Sequence, residues 1–193
     1  MSKTVNGTFN AKVQAQYKNA VSAAEMIVGE QWSLKVRDVA DPTAEPPVIG
    51  VDDIFSTQVP QTLLVGQTLV IDLYDLGGFD VGAGPGRDNL GTSELCDEVV
   101  ALQITTERLD EDDETPLTGT LLVGGEGSGA CWNSLFNGDD DAKLAMKPNS
   151  SIQFLTGYSS AWAVADSSNH LLKLVAPGAK LRFKITCARR KVA

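Results

Sequence analysis

One histidine in 193 residues leaves little room for the commonest kinds of acid–base and nucleophilic catalysis. A Ser–His–Asp or Cys–His site would have to be built on His170 alone, and no G-x-S-x-G elbow accompanies it. His170 stands beside Leu171 and Leu172 at the start of an apolar run, where a structural role is expected. Cysteine is almost as scarce. Cys96, Cys131 and Cys187 are widely spaced, odd in number and without a C-x-x-C pair. That argues against a disulfide framework and against a zinc site, and buried free thiols are expected.

Long hydrophobic runs are lacking too. No stretch approaches the length needed to span a bilayer. Residues Met1 to Gly7 have no apolar core of a signal peptide, so the chain is expected to be made and kept in a cytoplasm, or assembled there. Positive charge is in deficit: 16 Lys and Arg stand against 25 Asp and Glu, a formal net charge of -9. An acidic surface repels nucleic acid and anionic membranes, so neither is expected as a partner. Asn6-Gly7-Thr8 and Asn149-Ser150-Ser151 fit the glycosylation pattern, and without secretion they read as turns.

The remainder is an ordinary globular balance, 42% hydrophobic and 21% charged, on a chain long enough to bury a core. Period-two alternation is the main signal. Val5, Gly7, Phe9, Ala11, Val13, Ala15 and Tyr17 alternate with mostly polar neighbours. Leu181, Phe183, Ile185 and Cys187 alternate with Lys180, Arg182, Lys184 and Thr186. Further strands are expected at 32–39, 67–73, 98–106, 118–123, 151–155, 161–165 and 170–176, bounded by Gly, Pro, Asn or Ser. Short strands with turn signals between them point to an all-β sandwich or barrel. One segment competes: residues 19–28 are rich in helix formers, and they read as one short helix or as a connection flanking a strand.

The loops hold most of the charge and the glycine. Pro42, Pro46 and Pro47 exclude regular pairing over 38–48. Residues 77–91 hold six glycines and one proline and read as an irregular excursion. Residues 107–115 (ERLDEDDET) read as an acidic hairpin tip. The glycine-rich runs 82–86 and 124–129 lack the G-K-[ST] ending of a phosphate loop and no clear strand-to-helix junction frames them, so phosphate is not expected there. Asp139, Asp140 and Asp141 are weak candidates for Ca²⁺, as is the 110–114 cluster, but neither has the spacing of an EF-hand. No cofactor and no metal is expected, and no catalytic residue is assigned. Trp132, Phe136, Tyr158 and Trp162 lie close together in sequence. They are the candidates for an interface or for stacking on a sugar, with core packing the favoured role.

Several short motifs follow one another in a fixed order. Thr68-Leu69-Val70-Ile71-Asp72-Leu73 comes first, then Glu98-Val99-Val100-Ala101-Leu102-Gln103-Ile104. Gly119 to Gly125 (GTLLVGG) and Trp132-Asn133-Ser134-Leu135-Phe136 come next. Lys147-Pro148-Asn149-Ser150-Ser151-Ile152, Trp162-Ala163-Val164, His170 to Leu174 and the closing alternating strand complete the series. In this order, over about residues 50–190, the chain resembles a family of small tailed-bacteriophage virion proteins. It departs from that family where Asn149-Ser150 replaces Gly-Gly, in the 77–91 loop, and in the terminal Arg189-Arg190-Lys191.

The resemblance implies a non-enzymatic structural component of the particle: a capsid decoration, a head-fibre base or a tail-associated subunit. The fold expected is an antiparallel β-sandwich, jelly-roll-like, over residues 49–193. Residues 1–48 form an extended N-terminal strand and arm that a neighbour can take up by packing or exchange. The partners expected are other copies of the chain, a trimer among the possible states, and a major capsid or tail protein, all within a virion assembled in the host cytoplasm. The alternative expectation is a carbohydrate- or receptor-binding module of a fibre or tail, working through Trp132, Tyr158 or Trp162.

Overall fold

The alternation of apolar and polar residues is realised as thirteen strands and, among the described residues, no helix. The computed structural model describes residues 6–18, 25–37, 43, 48–57, 59–77, 79–80, 86, 95–112, 114–125, 127, 130–131, 142–155, 161–165 and 169–191. For 6–18, 25–37, 48 and 49 the description is of the backbone.

The first sheet begins with β1 (Asn6–Lys18) and β2 (Glu25–Arg37), which pair antiparallel without a break from Asn6↔Arg37 to Lys18↔Glu25. A short third strand, β3 (Val48–Gly50), runs parallel to the end of β2. The helix-forming composition of 19–28 is overridden from Glu25 onward. Glu25 to Val28 open β2, where pairing with Ala15 to Lys18 supplies the backbone partners a helix would otherwise have provided. Residues 19–24 lie outside the described residues.

The second sheet is antiparallel and has six strands. Its main path runs β10 (Ser151–Leu155), β7 (Glu98–Thr106), β13 (Leu181–Arg190), β4 (Asp53–Ser56). Beside that path, β11 (Trp162–Ala163) pairs with β7 and β5 (Gln61–Leu63) with β13. The third sheet, also antiparallel, runs β6 (Thr68–Asp72), β12 (Leu171–Val175), β8 (Leu121–Gly124), β9 (Lys143–Met146).

One core joins the two antiparallel sheets, which are not closed into a barrel. Phe55, Leu102, Ile104, Phe183 and Ile185 from the six-stranded sheet meet Ile71, Leu121, Leu172 and Leu174 from the four-stranded one. The closing strand β13 follows its sequence pattern: Leu181, Phe183, Ile185 and Cys187 are buried, and the residues between them are half-buried. Each Leu, Ile or Phe so enclosed contributes about 1.5–3 kcal/mol relative to an exposed position.

A bulge then breaks the register. Ala188 faces Ala101, but Arg189 faces Val99, so Val100 is the extra residue on β7. The extra residue returns Val99 to the shared core, while Val100, Ala101 and Ala188 form a second buried cluster with Val51. Ala101 and Ala188 alternate with core residues Leu102 and Cys187, so this cluster lies on the opposite face of the six-stranded sheet. Val51 follows directly on β3 and therefore roots the first sheet on the end of β13. Asp52 N donates to Arg189 O at 2.9 Å and Lys191 N to Asp52 Oδ2 at 2.7 Å, which fixes the same junction.

Candidate assembly surface

The buried polar groups serve the fold. Arg189 is fully buried. Its Nη1 donates to the carbonyl oxygens of Leu73 at 2.9 Å and Tyr74 at 3.1 Å. Its Nε donates to Asp53 Oδ2 at 3.0 Å, Nη2 bonds the same oxygen, and the guanidinium lies 5.5 Å from the centroid of Phe55. Asp53 belongs to β4, and Leu73 and Tyr74 follow β6, so one side chain ties the two core sheets together. Thr57 adds a smaller tie within the six-stranded sheet, accepting from Ile185 N at 3.0 Å.

His170 lies just before β12, as its sequence position suggests. Its Nε2 is 3.7 Å from Asp72 Oδ2, a partner that the sequence does not reveal. Asp72 is also engaged with the backbone, since its Oδ1 accepts from Tyr74 N at 2.9 Å and Asp75 N at 3.4 Å. Among the described residues no Ser, Thr or Cys is hydrogen-bonded to His170. The pair closes the turn after β6 against the start of β12, and Leu73 N donates to His170 O at 2.8 Å beside it.

The acidic hairpin tip is held by its own carboxylates. Asp112 Oδ1 accepts from Glu114 N at 2.9 Å and Thr115 N at 2.8 Å, and its Oδ2 accepts from the Thr115 hydroxyl at 2.5 Å. These bonds, the Thr115 hydroxyl foremost, pull the Asp112 carboxyl down to about 2. Asp110 is lowered as well, by the Lys180 ammonium 2.7 Å away and by the Glu111 amide, and Lys180 is raised in return. Glu111 accepts from the Thr62 hydroxyl at 2.9 Å. Among the described residues no three His, Cys, Asp or Glu converge as a metal site.

The three cysteines are buried and free, as the sequence suggests. Burial pushes the Cys96 thiol up to about 11 and raises Cys131 and Cys187 further. Of the aromatic candidates, Trp162 is half-buried against the shared core. It meets Phe154 edge to face, with ring centroids 5.8 Å apart. Trp132, Phe136, Tyr158 and the candidate Asp139, Asp140 and Asp141 lie outside the described residues.

The glycine-rich segment at 124 has a packing explanation. A Cβ on Gly124 would stand 2.4 Å from the Ala142 carbonyl oxygen, and φ there is +154°. At the next turn Asn149 occupies the left-handed region at φ 60°. Asn tolerates that conformation better than most residues.

Two apolar features remain. Val59, Leu64 and Val65 are 66%, 52% and 62% exposed in the connections on either side of β5. The larger feature is the β1–β2 ribbon. Its register puts Phe9 with Leu34, Ala11 with Trp32, Ala15 with Val28 and Tyr17 with Met26 on one face. The other face takes Thr8 with Lys35, Asn10 with Ser33, Lys12 with Gln31 and Lys18 with Glu25. Glu30, opposite Val13, and Ile27, opposite Gln16, are the exceptions. Among the described residues, the backbone pairing of this ribbon extends beyond the hairpin to β3 alone. Alternation in the sequence discloses the β1 half of this pattern but marks β2 only from Trp32, so the pairing of two apolar stripes emerges only with the register.

The chain matches no protein-family model, and no curated protein is similar to it.

Proposed function

We propose that this chain is a non-enzymatic structural subunit of a tailed-bacteriophage virion, a capsid decoration or another particle-surface protein that assembles through protein–protein contacts. Its body is a β-sandwich with jelly-roll-like connections, and residues 1–48 are its assembly arm. Its partners are other copies of itself and a major capsid or tail protein, and it acts in the virion after assembly in the host cytoplasm. The order of motifs along 50–190 supports the family reading. The observation that carries the assembly reading is the β1–β2 ribbon, a long ladder outside the two core sheets whose register gathers the apolar residues of both strands on one face. A sheet of two long strands and one short one is marginal alone in water, which suits an apolar face that a partner covers.

The glycan-binding alternative depends on aromatic faces open to solvent. Trp162 is instead engaged with Phe154 over the core, so it lends that reading no support.

The test is sedimentation of particles from the strain that encodes the chain, followed by immunogold labelling. The protein is expected to band with intact virions and to label their surface at regular positions. A protein recovered only from the soluble fraction, with unlabelled particles, would reject the proposal.

A further inference from the structure

We infer that the open edge of β6 pairs antiparallel with the β6 edge of a second copy of this chain, about a twofold axis centred on Val70. Two four-stranded sheets then become one. This names a contact that serves the assembly reading, and it rests on that reading.

The hydrogen-bond phase of the ladder is the first argument. β6 is a terminal strand of its sheet and pairs with β12. Ala176 N donates to Gln67 O at 3.0 Å and Leu73 N to His170 O at 2.8 Å, so Gln67 and Leu73 turn backbone groups toward the β12 side. The antiparallel pattern alternates. Leu69 and Ile71 therefore face β12 as well, and Thr68, Val70 and Asp72 turn their amides and carbonyls outward. Asp72 O accepts from Leu76 N at 2.8 Å. Among the described residues the other outward groups meet no backbone partner.

Two other edges are guarded, and this one is not. β9, at the far side of the same sheet, carries Lys143, with Lys147 just beyond it, both exposed. β5 has three residues and follows Pro60. Lysine, proline and shortness are usual defences of a strand edge. β6 reads Thr-Leu-Val-Ile-Asp, with neither lysine nor proline. The turn before it holds Leu64 and Val65 out at 52% and 62% exposure. That turn is fixed, since Gln67 N donates to Leu64 O at 3.0 Å, Leu64 N to Gln67 Oε1 at 2.8 Å and Gly66 N to Ala176 O at 2.7 Å.

The strand fits itself, which makes a second copy the occupant. With Val70 opposite the partner's Val70, all of Thr68–Asp72 is paired. Val70 N–H donates to the carbonyl of the partner's Val70 and receives the same bond in return. Asp72 N–H donates to the carbonyl of the partner's Thr68. On the core side Leu69 meets the partner's Ile71, so the apolar layer continues across the axis. On the outer side the Thr68 hydroxyl stands opposite the carboxylate of the partner's Asp72, and no like charges face one another. Residues before Thr68 then run beside those after the partner's Asp72, which brings the Leu64–Val65 turn toward the partner's Tyr74. A twofold axis makes each contact twice. A register shifted by two residues would leave an end of each strand unpaired.

The test uses the full chain. Light scattering during size exclusion is run on the wild type, Val70→Glu, Val70→Pro and Ala145→Glu, and far-ultraviolet circular dichroism checks that each is folded. Val70→Glu places like charges across the axis, while Lys173 opposite it on β12 accommodates the new carboxylate within the subunit. Val70→Pro deletes an amide that the subunit's own sheet does not use. Ala145→Glu puts the same charge on the opposite edge. The wild type and Ala145→Glu are expected to have twice the mass of one chain. Both Val70 variants are expected at half that mass, with unchanged spectra. A second measurement needs no substitution. Hydrogen exchange followed by nuclear magnetic resonance should show the Val70 and Asp72 amides of the wild type protected against that of Ala145, which also points away from its sheet, and dilution should remove the protection. A wild type of any other mass would overturn the inference. So would a folded Val70 variant that stays dimeric, or Val70 and Asp72 amides that exchange as fast as Ala145. If a wild type that fails to dimerise still sediments with virions, the assembly reading stands and the edge pairing alone falls. If it does not sediment with them, both fall.

Discussion

Arg189 and Asp53 form a fully buried ion pair across neighbouring strands, 136 residues apart in the chain, and the same guanidinium holds two carbonyl groups of the opposite sheet. Burying charge is costly, and the pair repays this only because the arginine is saturated with partners. Removing one member leaves the other's charge in the core without its ion-pair partner. Arg189→Ala or Asp53→Ala is expected to lower unfolding stability by about 3–5 kcal/mol in urea titrations followed by circular dichroism. The double variant Arg189→Met with Asp53→Leu removes both charges and should recover part of the loss. It should not recover all of it, because the Leu73 carbonyl then loses the arginine donor, at about 1–3 kcal/mol, while Tyr74 O still accepts from Cys96 N. Single variants as stable as the wild type would show that the pair does not hold the sheets together.

The cysteines give a second expectation. A thiol reacts through its thiolate, and burial disfavours that form in all three. Cys96, raised to about 11, is the least protected. At pH 8 the folded protein should react with Ellman's reagent only at the rate of unfolding, and three thiols should appear at once in denaturant. Rapid modification of one thiol in the native protein would mean that its surroundings open readily.

What the sequence made legible follows from this geometry. β13, β7 and β1 declare themselves because one face is apolar over many residues. β5 and β9 have three and four residues, too few for a period to register. β4 is hidden for another reason: Asp53 interrupts the pattern, and the arginine that justifies burying it sits far away on β13. Nor does the run Arg189-Arg190-Lys191 disclose that Arg189 is fully buried. The contact between His170 and Asp72 is equally invisible, since it depends on β6 pairing with β12. Composition misleads over 25–28, where local helix preference loses to a long ladder. β1 can be foreseen as an extended segment. The second apolar stripe of the ribbon cannot, because the register across the hairpin decides which residues of β2 join that face.

Gly124 tests the close approach of β8 to the segment before β9. Its missing side chain lets the Ala142 carbonyl come in, and Gly125 N donates to that oxygen at 3.1 Å. Backbone on both sides gives little room to adjust, so Gly124→Ala should destabilise by about 1–3 kcal/mol. Gly178 is the internal control: a Cβ there would meet nothing within 4 Å, and its backbone conformation is ordinary. Gly178→Ala should be neutral or stabilising by about 0.4–1 kcal/mol, since it mainly restricts the unfolded chain. Thermal melts of the two variants side by side decide the matter, and equal melting points would remove the packing argument.

Acid should reach the hairpin tip late. Asp112 titrates near 2 in the folded chain and near its ordinary 3.8 when unfolded. Its folded value is the lower of the two. The tip therefore has the full benefit of the carboxylate above about pH 4, and loses it as pH falls toward 2. Asp110, lowered by Lys180, acts in the same direction. Carboxyl carbon shifts recorded against pH should place the Asp112 midpoint near 2. Thr115→Val deletes the hydroxyl that contributes most, keeps the Thr115 and Glu114 amides, and should move that midpoint up only part of the way to 3.8. A wild-type midpoint already at the ordinary value would show that the turn does not form in solution. A variant midpoint that did not move would assign the effect to the amides and leave the hydroxyl without a role.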